Sequence, residues 1–455
     1  MTELAYLAAG VLFIVGLKGL TSPKTARRGN RLAALGMLVA VIVVVIDLLV
    51  EDAAMAWGIV IAGMIVGGGI GALLALRVQM TDMPQLVAAF NGFGGGSSAL
   101  VAAAAVVAAG STFATETAVT TILSLGIGAV TLTGSFVAFG KLQGLITGRP
   151  VSMPGGTATN GVIAAALIAA SVAAVATGNE SLYWLATAIA LVLGVSAVLP
   201  IGGADMPVVI SLLNSLSGLA AAMAGFVIGN QALIVGGALV GAAGMILTIE
   251  MSVAMNRSLA NILFSGFGGG VADQDIGTKP VKRATADDAA IALAYATRVA
   301  IVPGYGLAVA QAQHAVRDLA AALEERDVEV FYAIHPVAGR MPGHMNVLLA
   351  EADVSYDLLM DLDQSNPKFP QTDVVLVVGA NDVINPSAKT DPDSPIWGMP
   401  VLNVDEAATT IVVKRSLSPG FAGIDNPLFY EDGTMMYFAD AKAALEETLS
   451  AVERL

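Results

Sequence analysis

The chain has 455 residues, of which 56% are hydrophobic and 13% are charged, whereas soluble globular chains carry about 25% charged residues. This composition excludes a wholly water-soluble protein and indicates a bilayer as the solvent for much of the chain. There is no cysteine, which excludes disulfides and thiolate-bound iron–sulfur or zinc centres, and no metal site is predicted. Positive and negative residues are equal at nine each up to Arg257, so the net charge of −14 lies beyond it. An acidic soluble part argues against nucleic acid as a partner, because phosphate binding needs a basic face.

Nine apolar runs in the first part of the chain are long enough to cross a bilayer, which takes about 20 residues of helix. In chain order they are Leu4–Leu20, Leu32–Val50, Met55–Leu76, Pro84–Ala109, Thr117–Phe139, Gly161–Thr177, Leu182–Gly202, Pro207–Gly229 and Ala232–Met255. The first run lacks a basic n-region and a cleavage site, so we expect a span rather than a signal peptide. The expected architecture is therefore a multi-pass α-helical membrane bundle of about nine spans.

The distribution of charge between the spans predicts an orientation, because cytoplasmic loops hold Lys and Arg. With nine spans, every basic residue of this part falls on one side: Lys18, Lys24, Arg27, Arg28, Arg31, Arg77, Lys141, Arg149 and Arg257. The other side receives only acidic residues: Glu3, Glu51, Asp52, Glu116 and Glu180. We therefore expect the N-terminus outside and the C-terminal part in the cytoplasm.

Three polar residues in or beside the spans are candidates for function, since polar groups at membrane depth are costly. Asn91 and Asn214 lie about two helical turns into the fourth and eighth spans, and each either bonds a neighbouring helix or lines a water path. Asp205 precedes the eighth span, where capping of the helix is the alternative. The eighth span also carries a stripe of small residues, which predicts close packing against another helix: Ser211, Ser215, Gly218, Ala222, Gly225 and Gly229.

Beyond the last span the sequence predicts a linker and a separate domain. Residues 257–284 are polar and glycine-rich, which is typical of a linker, and they join a transmembrane domain at 1–256 to a domain at 285–455. In the latter, strand-length runs such as RVAIVP, VEVFYAIHP, TDVVLVVG, TTIVVKRS and MMYFAD alternate with helical periods. LAVAQAQHAVRDLAAALEERD and AKAALEETLSAVERL are the clearest helices. This alternation favours a soluble Rossmann-like α/β domain with a parallel sheet.

The first of these strands runs directly into a turn of the form G-x-G-x-x-V that opens a helix. Its residues are Gly304, Tyr305, Gly306, Ala308 and Val309. Glycines permit a tight turn and the close approach of a pyrophosphate to a helix N-terminus. An ordinary strand-to-helix turn is the alternative, but the flanking strands and helix favour a dinucleotide site.

Two further segments favour NADP over NAD. The acidic residue that usually binds an NAD ribose is missing after the second strand, where the segment 335–340, HPVAGR, stands instead. Lys414, Arg415 and Ser416 follow another strand and could bind a 2′-phosphate, a solvated basic turn being the alternative.

Four residues at the end of a further strand lie where open α/β sheets bind ligands: Gly379, Ala380, Asn381 and Asp382. Asp382 is expected beside the nicotinamide or the ribose.

Several of these motifs together resemble the β subunit of proton-translocating NAD(P) transhydrogenase. They are PGYGLAVAQAQ, IHPVAGRMPGHMNVLLAEA, VVGANDVINP and VVKRSLSPGFAG, with GADMPVVISLLNSLSG and AMNRS in the first part, and the resemblance covers essentially the whole chain. It implies an enzyme that couples hydride transfer between NADH and NADP⁺ to inward proton translocation. It also implies NADP(H) on this chain, NAD(H) on a partner α subunit that carries the remaining membrane helices, a homodimer of the α–β unit, and a bacterial inner membrane.

The resemblance also implies roles for residues that match its motifs. Tyr305 would contact the nucleotide, Asn381 and Asp382 would lie near the nicotinamide, and residues 414–421 would form a lid over the 2′-phosphate. The remaining matches are Val337, Ala338, Gly339, Arg340, Met341 and Pro342 along the phosphates, Gly398 and Met399 as support, Gly420 and Phe421 in the lid, and Asp440 and Ala441 at the last helix. The family binds its nucleotide in reversed orientation, so this assignment and the G-x-G interpretation differ on where the pyrophosphate lies.

In the membrane part, the resemblance gives the polar residues a role in proton transfer. Asn91 stands where some relatives have a proton-carrying His, so a partner helix is expected to supply that group. Asp205 and Asn214 match polar residues of the proton path and of its coupling to the nucleotide domain. The segment Asn256–Arg283 is the covalent route between the two parts, and we expect it to be a mechanical link. The rival hypotheses are a channel or transporter gated by a nucleotide-sensing domain, and a membrane scaffold for a soluble reductase.

Overall fold

The computed structural model describes residues 2–20, 23–50, 57–109, 113–148, 150–151, 155–255, 258–264, 280–340, 343–394, 396–420 and 422–455. The chain forms two compact units, the first comprising Met1–Ile249 with Ile262–Gly266 and the second Glu250–Asn261 with Phe267–Leu455. The division at 1–256, 257–284 and 285–455 stays a prediction, since residues 256–257 and 265–279 lie outside the described ranges.

Long helices make up the first unit, as the apolar runs predict. They are α1 (Thr2–Gly19), α2 (Pro23–Val50), α3 (Trp57–Arg77), α4 (Met83–Ala109), α5 (Thr115–Leu142), α6 (Gly156–Thr177), α7 (Glu180–Val198), α8 (Met206–Ile228) and α9 (Gln231–Ala254), followed by the short α10 (Leu259–Phe264). Eight helices among the described residues, α2 to α9, are long and apolar enough to cross a membrane. The prediction of a multi-pass helical membrane protein is confirmed.

Some helices extend beyond the apolar runs that predict them. Lys24, Arg27 and Arg31, which the sequence places in the first connection, lie in the first turns of α2. This helix begins at Pro23, and proline suits the first helical turn because its missing N–H needs no partner there. Lys141, assigned to another connection, likewise lies in the last turn of α5.

The stripe of small residues on α8 packs against α9, which confirms its predicted role in close packing. A Cβ atom on Gly218 would lie 2.4 Å from the backbone nitrogen of Gly241. The Ser215 hydroxyl donates to the Gly241 carbonyl at 2.6 Å, and Ser211 donates to the Gly244 carbonyl at 3.2 Å. Small side chains thus allow the two backbones to approach until hydroxyl groups on one helix reach carbonyls on the other.

The second unit contains a parallel sheet covered by helices, and the Rossmann-like prediction is confirmed. Its elements are β1 (Lys282–Arg283), α11 (Ala286–Ala294), β2 (Arg298–Pro303), α12 (Tyr305–Val309), α13 (Gln313–Glu324), β3 (Glu329–Ala333), α14 (His344–Glu351), β4 (Leu359–Met360), α15 (Leu362–Ser365), β5 (Val374–Val378), α16 (Ser387–Thr390), β6 (Thr409–Lys414), β7 (Thr434–Phe438) and α17 (Ala441–Arg454). The seven strands pair in parallel in the order β1-β7-β6-β5-β2-β3-β4. Strands β2 and β5 are almost wholly buried, as expected of a sheet covered on both faces.

Two local features differ from the sequence prediction. The single helix expected over 307–327 is wrong, because Gln311 adopts a left-handed backbone conformation at φ +50° and separates α12 from α13. Lys282 and Arg283, assigned to the linker, form the edge strand β1 beside Met435 and Met436 of β7. A strand of two residues has no readable period, which is why the sequence does not show it.

Candidate functional site

The carboxyl ends of β2 and β5 form the centre of the site. The chain leaves β2 toward β3 on one side and enters β6 from β5 on the other, so the border between β2 and β5 is the topological switch point where such sheets bind ligands. The turn after β2 holds Gly304 to Val309, and the turn after β5 holds Gly379 to Asp382.

These two turns touch through their backbones. The Gly304 N–H donates to the Val378 carbonyl at 2.9 Å, and the Gly306 N–H donates to the Gly379 carbonyl at 3.0 Å. A Cβ on Gly306 would lie 2.7 Å from the Gly379 Cα, and Gly379 itself has φ +68°. The glycines are therefore required by the contact between the turns. A phosphate bound here would have to do without the Gly306 N–H, which already has an acceptor.

Beside this contact, a cleft of about 210 Å³ brings four of the predicted segments together. Its lining consists of Gly306, Val309, Ala310, Gly379, Val413, Lys414, Arg415, Ser416, Ser418, Ala439, Asp440 and Ala441. Sequence reasoning missed Ala310, Val413 and Ala439, whose only signal is that each lies next to a predicted residue, whereas Ser418 lies within the predicted lid. The cleft combines an exposed guanidinium, that of Arg415, with serine hydroxyls. Such groups suit a phosphate ester.

Lys414 and Arg415, which were predicted to act together, differ in their surroundings. The Lys414 ammonium donates to the Ser418 carbonyl at 2.7 Å and lies 4.9 Å from the centre of the Phe429 ring. Burial lowers the pKa of Lys414 to about 8, although the carboxylates of Asp382 and Asp425 oppose the shift. Lys414 therefore holds its own turn in place, whereas the exposed Arg415 side chain is available to a ligand in the cleft.

The turn after β5 contacts the predicted lid. The Asp382 carboxylate accepts from the Ala422 N–H at 3.0 Å, and a Cβ on Gly420 would lie about 2.4 Å from the Asp382 oxygen. With its amide oxygen turned toward the donors, Asn381 accepts from the Gly420 N–H at 2.7 Å. Asn381 and Asp382 therefore contact the predicted lid at Gly420 and Ala422. Phe421 lies outside the described residues.

The segment predicted to lie along the phosphates is built onto the turn after β2. The Arg340 guanidinium lies 4.5 Å above the centre of the Tyr305 ring, within the range of a cation–π contact. Val337 and Gly339 are half-buried and Ala338 is buried. Met341 and Pro342 lie outside the described residues.

The supporting segment at Gly398 and Met399 is joined to the same region through His335. The His335 Nε2 lies 2.7 Å from the Pro400 carbonyl, while Gly398 has φ +75° and Met399 is buried. Burial lowers the pKa of His335 to about 4, so the ring is neutral at physiological pH and Nε2 carries the hydrogen that the carbonyl accepts.

In the membrane unit, Asn91 is the centre of a hydrogen-bonded group on three helices. Its amide nitrogen on α4 donates to the Ser135 hydroxyl of α5 at 2.9 Å. Its oxygen accepts from the Ser217 hydroxyl of α8 at 2.7 Å, and Ser217 also lies 2.8 Å from the Asn214 carbonyl. Of the two roles left open for Asn91, bonding to neighbouring helices is the one observed. Sequence reasoning missed Ser135 and Ser217, because hydroxyls on small residues look like ordinary packing residues.

The turn before α8 contains the buried Asp205 and accepts hydrogen bonds from the buried Lys141 of α5. Asp205 is 1% exposed and is the N-cap residue of α8 by position, but among the described residues its carboxylate makes no capping hydrogen bond. Lys141 of α5 is 5% exposed and donates to the carbonyls of Leu199 and Ile201 at 2.6 and 2.8 Å. A buried ammonium satisfied by the carbonyls that follow α7 fixes the start of the turn that leads to Asp205.

Comparison with known proteins extends over nearly the whole chain. A family model described as NAD(P) transhydrogenase beta subunit matches residues 2–451. Two curated relatives, one from Rhodospirillum rubrum and one from a named strain of that organism, are both called NAD(P) transhydrogenase subunit beta. Each is 49% identical over 463 residues, and the alignment covers 99% of this chain and 99% of the relative.

Proposed function

Because the chain belongs to the NAD(P) transhydrogenase beta-subunit family, we propose that it binds NADP(H) and couples hydride transfer between NADH and NADP⁺ to inward proton translocation. It is a membrane-spanning subunit of an oxidoreductase. The name of the family, beta subunit, implies an α subunit as partner. Our proposal assigns NAD(H) and the remaining membrane helices to that subunit.

The observation that carries the NADP(H) assignment is the cleft at the switch point of the sheet. It places the exposed Arg415 beside the hydroxyls of Ser416 and Ser418 and beside the turn after β2. Guanidinium and hydroxyl groups are the donors that proteins use for a phosphate monoester, and the 2′-phosphate is the feature that distinguishes NADP from NAD. The nucleotide would supply the hydride chemistry. The described side chains bind and orient it.

The group around Asn91 supports a role for the membrane helices in proton transfer. Asn91, Ser135 and Ser217 join three apolar helices through donors and acceptors, and because polar groups at this depth are costly to bury, they are candidates for function. An amide does not titrate, so the proton carrier would come from a helix of the α subunit that reaches this group. Asp205 and Asn214 are assigned to the path and to its coupling with nucleotide binding.

Energetic reasoning explains why such an enzyme would be tied to a gradient. NADH and NADPH have nearly equal hydride affinity, so the exchange alone has little driving force. One charge that crosses 100 mV releases about 2.3 kcal/mol. At roughly 150–200 mV this is about 3.5–4.6 kcal/mol, which is enough to raise the ratio of NADPH to NADP⁺ by a factor of about 10²·⁵ to 10³·³.

Our proposal for the assembly is a homodimer of the α–β unit in the bacterial inner membrane, with the N-terminus outside and the nucleotide domain in the cytoplasm. Basic residues on one side of the spans support the orientation. The exposure of helix α3 supports contact of its surface with a partner or with lipid, because none of its described residues is buried and Leu76 is 85% exposed. The proposal includes no nucleic acid, because the residues beyond Arg257 carry the net charge of −14 and phosphate binding needs a basic face.

The test of this function is Arg415→Ala in the complex with the α subunit. We expect the Kd for NADPH to rise by about 10- to 100-fold, since a charged hydrogen bond contributes about 1.5–3 kcal/mol, while the Kd for NAD(H) stays unchanged. Arg454→Ala is the matched control, because Arg454 is exposed and pairs with Asp287 on the surface. Equal NADPH affinity in the wild-type and Arg415→Ala proteins would refute the assignment of the 2′-phosphate.

A second experiment separates the enzyme from the gated-channel rival. Membrane vesicles with the complex are mixed with NADPH and an oxidised NAD analogue, and absorbance is followed with and without an uncoupler. Steady hydride exchange that changes with the gradient is the expected result. Ion flux without redox turnover would overturn the proposal in favour of the channel.

A further inference from the structure

Two buried histidines bond the two ends of a single turn, Val337–Arg340. The Val337 N–H donates to Nδ1 of His335 at 3.2 Å, and the Arg340 N–H donates to Nδ1 of His344 at 3.0 Å. Both side chains are only 1% exposed. A backbone N–H can act only as a donor, so each Nδ1 must present a lone pair rather than a hydrogen. Both rings are therefore in the form protonated at Nε2 and not at Nδ1.

The second nitrogen of His335 extends the contact to another segment. Its Nε2 donates to the Pro400 carbonyl at 2.7 Å, and Pro400 directly follows Gly398 and Met399. One imidazole thus fixes the distance between the turn after β3 and the segment that supports the site. Neither segment could shift alone without leaving a buried polar group unpaired, which costs about 1–3 kcal/mol.

His344 fills the space on which the shape of the turn depends. Gly339 has φ +109°, and a Cβ built there would lie 2.5 Å from Nδ1 of His344. The imidazole occupies the place that a side chain at position 339 would need, so this position requires glycine on two counts. The centre of the His344 ring also lies 6.4 Å from that of Tyr305, on which the Arg340 guanidinium rests.

We propose that His335 and His344 are positioning residues that clamp the Val337–Arg340 turn and thereby place Arg340 for the phosphates of NADP(H). The clamp rests on the proposed function and deepens it, since it names two groups that act on the nucleotide through Arg340. The Val337 and Arg340 N–H groups are taken by the imidazoles, so the turn offers a ligand its guanidinium rather than these two amides.

The test uses the full chain in complex with the α subunit in lipid nanodiscs. His344→Leu removes the acceptor, whereas His344→Asn keeps an oxygen near the position of Nδ1. We expect His344→Leu to raise the Kd for NADPH about tenfold, as the loss of one buried hydrogen bond implies, and His344→Asn to restore it to within about twofold of the wild-type value. His314→Leu is the matched control, because His314 is exposed and should leave the Kd unchanged.

Two outcomes would overturn the clamp while leaving the proposed function intact. One is a fall in thermal stability of His344→Leu with no change in the Kd for NADPH, which would reduce His344 to a packing residue. The other comes from solid-state ¹⁵N NMR of the wild-type protein, in which the only three histidines are assigned through single variants. A hydrogen on Nδ1 of His335 or His344 would contradict the geometry. A wild-type protein that does not prefer NADPH to NADH would instead refute the proposed function itself.

Discussion

Glycine allows close backbone contact in both units, but the two contacts leave different traces in the sequence. In the membrane unit Gly218 faces Gly241 across two long helices, and the regular helical period makes the small-residue face visible as a stripe. In the second unit Gly306 faces Gly379 across two short turns far apart in the chain. No period links them, and the G-x-G pattern alone suggests a ligand. Motif glycines can therefore serve the protein's own packing as well as its substrate.

The largest effect is expected from Gly379→Ala, which breaks the turn–turn contact. The new Cβ would meet Gly306 backbone at 2.4 Å in a left-handed conformation. Strain of about 1–2 kcal/mol and overpacking of about 1–3 kcal/mol should together destabilise the second unit by about 4 kcal/mol and abolish NADPH binding. Thermal unfolding and NADPH titration measure both. Gly433→Ala is the control, because its nearest neighbour would lie at an ordinary 3.7 Å; equal effects at the two positions would contradict the contact.

A smaller effect is expected from pH, through His335 of the second unit. Burial lowers the pKa of His335 from 6.5 to about 4 in the folded chain, so between these values the unfolded chain binds a proton that the folded chain does not. Stability from this group is complete above about pH 6.5 and falls by about 3 kcal/mol as the pH drops to 4. The free energy of unfolding of the wild-type and His335→Gln proteins is measured across this pH range, and the difference between the two isolates the effect. A difference that does not change with pH would show that His335 is not held neutral.

Gly218→Ala tests the membrane counterpart of the turn contact. The added methyl would meet the backbone of α9, but the helix has no left-handed residue there, so only overpacking of about 1–3 kcal/mol remains. We expect about 2 kcal/mol of destabilisation, half the effect at Gly379, in unfolding of the protein in nanodiscs. Gly126→Ala serves as control, because nothing lies within 4 Å of its would-be Cβ. A larger loss at Gly218 than at Gly379 would reverse the ranking of the two contacts.

The smallest stability effect is expected from Asn91→Ala, since hydrogen bonds between membrane helices contribute on average about 0.6 kcal/mol. Two such bonds, to Ser135 and Ser217, give about 1 kcal/mol. Proton translocation should be lost while the Kd for NADPH is unchanged. The comparison is between proton uptake by vesicles and NADPH titration of the same preparation. Ser97→Ala, which removes only a hydroxyl bonded within its own helix, should affect neither; retained proton uptake in Asn91→Ala would remove Asn91 from the path.

Much of the fold follows from the sequence, because its elements are long and regular. Apolar runs of span length and shorter apolar runs such as those of β2, β5 and β6 are recognised by their length and by the polar or turn residues that bound them. The same logic fails at Gln311, where one left-handed residue divides a helix, and at Lys282–Arg283, which is too short to show a period. The apolar run that ends at Phe139 predicts Lys141 in a connection, yet Lys141 lies in the last turn of α5, where its ammonium donates to backbone carbonyls.

The candidate site was only partly readable for a similar reason. Arg415, Ser416 and Asp440 could be named from their positions after strands, and the cleft brings them together. The contact of Asn91 with Ser217 joins residues 126 positions apart, and the bonds of Val337 and Arg340 to imidazoles depend on side-chain direction. Spacing along the chain carries no information about such pairs.

Strand β1 has a mechanical consequence. Strand β1, which follows the membrane helices in the chain, has two residues and pairs with β7 beside Met435 and Met436. The residues that directly follow β7, Ala439 and Asp440, line the cleft. We expect a displacement of the incoming chain to act on β7 through this two-residue pairing, and so on the adjacent residues of the cleft.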